Sequence, residues 1–212
     1  MTRVTQIFLA SALFASIAAA QTWEAGVLGG FGVTPDKSVS SAAGSASTGF
    51  KNGGTFGIFG GANDYSYIGG EASYLYRLSD LKVSSGGTQV DFAGHTQFLD
   101  FRFLVHFAAR EKRFRPFVAV GGGVAIYSGT GEPNAAQPLN NIVALTETRE
   151  TKPMASGAAG IKYRLTQHLG LRFEFRDYAT PFPNRLIGPA PGASVSGWLQ
   201  NFEAVGGIAG VF

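Results

Sequence analysis

Apolar and polar residues alternate with a period of two along much of the chain. In "HTQFLDFRFLVHF", residues 95–107, Leu99, Phe101, Phe103, Val105 and Phe107 fall on one parity. Phe98, Asp100, Arg102, Leu104 and His106 fall on the other. Successive side chains of a strand point to opposite faces, so the pattern predicts a strand with two unlike sides. Seven further runs read as strands: Thr22–Val33, Phe50–Gly61, Tyr65–Leu78, Phe114–Tyr127, Pro153–Leu165, Leu169–Tyr178, and about Gly197 to Phe212. Phe114–Tyr127 is apolar on both parities, so its facing stays open. In the last run, Phe202, Ala204, Gly206, Ile208, Gly210 and Phe212 make one wholly apolar face, while the other carries Asn201 and Glu203.

The connections alternate long and short. Long ones cover "TPDKSVSSAAGSASTG", Ser79–Gly94, about Ser128–Lys152 and "ATPFPNRLIGPAPGAS"; the first reads as a flexible loop and the second as a polar one. Short ones are "ANDYS", "AAREKR" and "TQH", with "REKR" expected to be a solvated periplasmic turn. An even number of antiparallel strands, short turns at one end and long loops at the other describe a transmembrane barrel. The predicted fold is all-β, an eight-stranded antiparallel up-and-down transmembrane β-barrel. Strand edges cannot stay unpaired in lipid, so the first strand must pair with the last.

On this reading the apolar parity meets hydrocarbon and the charged parity faces the lumen. Expected lumen residues are Glu24, Glu71, Asp100, Glu174 and Glu203 against Arg77, Arg102, Lys162, Arg164, Arg172 and Arg176, with His106 beside them. An eight-stranded barrel is just wide enough for side chains to fill. Buried charges persist only when paired, so these residues are expected to form an ion-pair plug. Trp23, Tyr67, Phe107, Phe114, Tyr163 and Phe212 are candidates for the inner aromatic belt, and Tyr76, Tyr127, Tyr178 and Trp198 for the outer one.

The first residues change the picture of where the chain goes. Arg3, the apolar run Ile7–Ile17 and Ala18-Ala19-Ala20 read as a cleaved signal peptide over residues 1–20. Its about 14 apolar residues fall short of the roughly 20 that span a bilayer. Residues 21–212 form the barrel domain, which is expected to enter the outer membrane of a diderm bacterium after export. The absence of Cys excludes disulfides, thiolate metal sites and a lipoprotein anchor. Without Arg3, 16 basic residues face 14 acidic ones, too slight an excess to argue for nucleic acid. No cofactor is implied: the Gly-rich stretches "GGTFGIFGG" and "VGGGVAI" lack the helix start and Lys-Ser/Thr of a phosphate loop. Carboxylates are scattered singly and no His pair has ligand spacing, so no metal site is expected.

The signal peptide, the eight strands, "LGLRFEFRDY" and the closing "FEAVGGIAGVF" resemble the OmpA-like outer-membrane β-barrel domain family, which includes small opacity-type surface proteins. The resemblance covers about residues 21–212; the chain departs from full-length OmpA-type proteins by ending at the barrel, so no peptidoglycan-binding domain is expected. It also implies insertion by the barrel-assembly machinery, with Phe202, Ala204, Ile208 and Phe212 as the signal that is read. Outer-membrane lipid and lipopolysaccharide are the implied surroundings.

The leading expectation is a non-enzymatic integral protein with a structural or surface-exposed role. It would act through four outer loops rich in Ser, Gly, Ala, Pro and Asn, with few aromatic anchors. A lipid A-modifying barrel enzyme is the alternative, and it needs a Ser or Thr within reach of an oriented His. Of the three His, His168 lies in a short turn and His106 on the charged parity. Only His95, beside Thr96, suits the part, and Gln97 stands where a deacylase-like pattern would have Ser. A narrow pore and a soluble barrel with its apolar parity inward complete the alternatives.

Overall fold

The computed structural model describes residues 23–41, 44–62, 66–132, 137–193, 195 and 197–212. The expected signal peptide lies outside the described residues. The first half contains β1 (Trp23–Val33), β2 (Lys37–Ser41), β3 (Gly44–Phe50), β4 (Gly53–Ala62), β5 (Ile68–Leu78), β6 (Leu81–Ser85) and β7 (Thr88–Phe92). The second contains β8 (Gly94–His106), β9 (Phe114–Gly129), β10 (Val143–Leu145), β11 (Arg149–Arg164), β12 (Leu169–Pro181), β13 (Ile187–Pro189) and β14 (Trp198–Val211).

Eight of these strands close a barrel in the order β1-β14-β12-β11-β9-β8-β5-β4, and β4 pairs back onto β1. Every pairing is antiparallel. Closure runs from Glu24 opposite Val211 to Val33 opposite Phe202, and the Phe212 N–H donates to the Trp23 carbonyl at 2.9 Å. No edge is left in the barrel wall, which is the condition a strand must meet in lipid.

The outward face is apolar. Val27, Phe56, Ile58, Phe101, Val120, Phe173 and Ile208 all lie on it and are exposed, Phe101 by 58%. The inward face holds the buried charges. This inverts the pattern of a water-soluble domain and disposes of the soluble barrel with its apolar parity inward. The facing of β9 is resolved as well. Arg115, Phe117, Ala119, Ala125 and Tyr127 are buried, while Phe114, Val118 and Val120 are exposed. Opposite the bulky inward residues of β8, β9 carries Gly121 and Gly123, which pair with Arg102 and Asp100. A Cβ at Gly121 would stand 2.1 Å from the Phe101 carbonyl and 2.8 Å from the Arg102 Cα.

The long connections, of which the first was expected to be a flexible loop and the second a polar one, carry strands of their own. β2, β3, β6 and β7 form a four-stranded sheet, and β10 pairs with β13. Phe50 ends β3 instead of opening the second barrel strand, and β11 begins at Arg149, earlier than Pro153. A two-residue turn joins β6 to β7, with Gly86 and Gly87 at φ 57° and 85°. Both angles lie in the left-handed region that hairpin turns of this length require. Val39, Phe50, Leu81, Val83, Phe92, Val143, Leu145, Phe182, Leu186 and Ile187 are buried in one cluster with upper-lumen residues. The described parts of the four long connections therefore make a cap whose apolar core is continuous with the upper lumen.

Candidate functional site

The lumen is where unlike elements converge. Eleven of the twelve charged or titratable residues read as inward are buried: Glu24, Glu71, Arg77, Asp100, Arg102, His106, Lys162, Arg172, Glu174, Arg176 and Glu203. At mid-height, three guanidinium groups meet three carboxylates. Arg172 forks onto Glu71, with one contact at 3.1 Å, and reaches Glu174 at 3.0 Å. Arg102 donates to Glu71 and, at 3.3 Å, to Glu174. Its Nε lies 3.1 Å from Asp100 Oδ2, an ionic contact without hydrogen-bond alignment. Arg176 donates through Nε to Glu174 at 2.8 Å and through Nη1 to Ser73 at 2.8 Å and Tyr178 at 2.9 Å. Asp100 accepts from Ser156 at 2.7 Å. The Arg172 guanidinium lies over the rings of Phe59 and Phe117 at 4.7 and 4.8 Å, cation–π contacts strengthened by exclusion of water.

A second cluster lies toward the cap. Arg77 donates to Glu203 at 3.0 Å and to Thr34 and Asn201 at 2.8 Å each. Asn201 in turn donates to Tyr127 at 3.0 Å, and Tyr127 shares a 2.7 Å hydrogen bond with Thr180. Tyr127 and Tyr178 are fully buried here, not in the outer belt where the sequence reading placed them. Both stand on inward positions, Tyr178 on the same parity as Arg176. Tyr127 stacks on Phe50 at 5.0 Å and Tyr178 on Phe98 at 4.6 Å, so an aromatic layer overlies the charges. Trp198 and Tyr67 do stand outward, as do Trp23, Phe107, Phe114, Tyr163 and Phe212.

The third cluster is at the short-turn end. Lys162 pairs with Glu24. Arg115, whose role the open facing of its strand concealed, is buried and donates to the carbonyls of Ser66 at 2.9 Å and Ala108 at 3.3 Å. Arg164 departs from its expected place. It is the last residue of β11, stands half-exposed at the rim and donates to the Glu111 carbonyl, because the lumen ends one rung before it. Both ring nitrogens of His106 are buried without a hydrogen-bond partner among the described residues.

The structure keeps His95 and Thr96 apart. His95 stacks on the outward Tyr76 at 4.9 Å. Thr96 points into the barrel and bonds Ser79 at 2.9 Å. Strand alternation thus separates the one tempting His–Thr pair across the barrel wall.

On the cap, Lys51 pairs with Asp91 at 2.6 Å and Lys82 with Asp36 at 2.9 Å. The hydrogen bond to Asp91 raises the Lys51 ammonium above its usual range, helped by the charge of Asp80. Partial burial pushes the Asp91 carboxyl up, but donation from Lys51 and Gln89 outweighs it and holds the group below its usual range.

A family described as "Outer membrane protein beta-barrel domain" matches residues 7–188. The outer membrane protein OprG from Pseudomonas aeruginosa superposes with a TM-score of 0.59 at 12% identity, covering 91% of this chain and 97% of its own. Neisserial surface protein A gives a TM-score of 0.53 at 12% identity, with 91% and 97% covered. The outer membrane protease OmpT from Escherichia coli gives 0.50 at 12% identity, with 90% and 97% covered. These likenesses are of fold. No curated protein matches the chain.

Proposed function

Because the chain belongs to the outer membrane protein beta-barrel domain family, and so to the outer membrane, we propose that it is a sealed, non-enzymatic barrel whose work is done by its ordered outer cap. The observation that carries this reading is the lumen filling. Arg77, Arg172 and Arg176 have no exposure to water, and each is held by carboxylates from other strands or from its own. Above them lie the aromatic layer and the cap core. A solute would have to break several buried ion pairs and displace packed rings to cross.

Liposome swelling in small sugars tests this directly. Protein-loaded and protein-free vesicles should swell alike. Fast sugar entry, or steady single-channel current in a planar bilayer, would replace the plug with a narrow pore. OmpT is a protease on a related architecture, so enzyme activity needs its own test. Incubation with lipopolysaccharide and mass spectrometry of the acyl chains should show unchanged lipid. Deacylated or palmitoylated product would establish the lipid A-modifying alternative.

Export by the residue 1–20 signal and delivery to the barrel-assembly machinery complete the proposal. The outward face of β14 and the residue that follows it support the proposal: Ala204, Ile208 and Phe212 are exposed, and Phe202 stacks on Phe175 at 5.7 Å. That face, with lipid and lipopolysaccharide as its later surroundings, is the surface the machinery would read. Replacing Phe212 by Ser should lower outer-membrane abundance severalfold in fractionated envelopes.

A further inference from the structure

We infer that the short-turn mouth of the barrel is a binding site for the phosphate-bearing headgroup of an anionic lipid. A cavity of about 160 Å3 lies there. Its lining includes Arg110, Lys112, Arg113, Arg115, Lys162 and Arg164, against a single carboxylate, Glu24. The whole chain carries only 17 basic residues and a net charge of +3, so this mouth gathers a third of the cations into one place. They arrive from separate elements: the turn after β8, the first rungs of β9 and the last rungs of β11.

Most of these cations have no carboxylate of their own. Lys162 takes Glu24. Among the described residues, Arg110, Lys112, Arg113, Arg115 and Arg164 form no ion pair. The donors of Arg115 and Arg164 meet only backbone carbonyls. Elsewhere in this molecule enclosed guanidinium groups are met by carboxylates. Here Glu24 and Glu111 offset part of the charge around Arg115, a net positive charge remains for an outside anion, and guanidinium forks match the oxygens of a phosphate.

The shape of the rim selects a lipid over a soluble phosphate. Tyr163 and Leu171 also line the cavity, and both belong to the outward apolar face, below Ile161 and Phe173. The cavity therefore opens where the barrel wall leaves the bilayer. A headgroup held by the arginines can lay its chains against those outward residues. This inference rests on the membrane placement proposed above, and it is independent of whether the lumen conducts.

The test uses the folded full-length protein in detergent, equilibrated with equal amounts of phosphatidylglycerol and phosphatidylcholine and read by native mass spectrometry. Retention should favour phosphatidylglycerol by about tenfold. The triple variant R110Q/K112Q/R113Q, confined to an exposed turn, should reduce the preference to about twofold, and K51Q/K82Q on the cap should leave it unchanged. A gel shift between unboiled and boiled samples verifies that each variant is folded. Should the triple variant fail that check, R113Q alone should still lower the preference by about threefold. Displacement of the lipid by millimolar inorganic phosphate, with phosphorus-31 line broadening in lipid-free protein, would assign the site to free phosphate and overturn the lipid reading. Equal retention of both lipids, or a preference indifferent to the turn variants, would overturn the site itself.

Discussion

Arg77 on β5 and Glu203 on β14 stand 126 positions apart in the chain and meet at 3.0 Å across the lumen, with no exposure of either side chain. Their strands are not neighbours in the barrel. The pair therefore reaches past β4 and β1, which lie between the two strands, and it links the charged lumen to the Asn201–Tyr127 layer above.

Removing one member should be costly. Arg77→Ala leaves the Glu203 carboxylate buried without its cation, and such losses run to about 3–5 kcal/mol. Replacing both by apolar residues, R77M/E203L, should cost far less, because no charge is then stranded. Urea unfolding in lipid vesicles, followed by the fluorescence of Trp23 and Trp198, measures both variants. A near-neutral R77A would remove the pair from the lumen's stability.

Gly32 makes room for that pair. A Cβ there would stand 2.4 Å from the Arg77 Cδ and 2.6 Å from both Glu203 carboxylate oxygens. Gly32→Ala should destabilise the barrel by about 1–3 kcal/mol, in the range of overpacked cores. The same substitution in the R77M/E203L background should cost less, since the charged tips are gone. Equal costs in the two backgrounds would place the strain elsewhere.

Phe50 is fully buried between the cap core and Tyr127. Phe50→Ala should cost about 3–5 kcal/mol locally. The loss should fall on the cap rather than on the barrel wall. Limited proteolysis of intact vesicles should then cut the long connections severalfold faster than in the unaltered protein, while the boiled and unboiled forms still migrate apart. Unchanged resistance would mean that the cap is held by other contacts.

The Lys51–Asp91 pair predicts a pH window. Asp91 is depressed in the fold, so its contribution is present above the ordinary carboxylate value and lost as pH falls through its lowered value. Lys51 is raised, so its contribution is present below the ordinary lysine value and lost as pH rises through its elevated one. Both side chains are more than a third exposed, which limits the pair to at most about 1 kcal/mol. In K51Q, an NMR titration should show the Asp91 midpoint moving up. No movement would remove Lys51 as the cause.

Some of this was legible because it is local. Strand alternation has a period of two residues, so a short window already separates Phe101 and Phe103 from Asp100 and Arg102. The same rule places Tyr178 with Arg176. It is silent on Tyr127 and Arg115, because β9 is apolar on both parities and no local contrast exists to read.

The sequence by itself determined the barrel, its strand count and the side to which most charges turn, since each of these follows from periodicity and loop length. Only the tertiary structure decided which charges pair, where the lumen stops short of Arg164, and that the polar connections fold into a cap. The physical reason is the same in each case. Ion pairs across a lumen and a core built from Val39, Phe50, Leu81, Phe92 and Leu186 join segments far apart in the chain, and no single segment carries enough apolar surface to announce the partner that buries it.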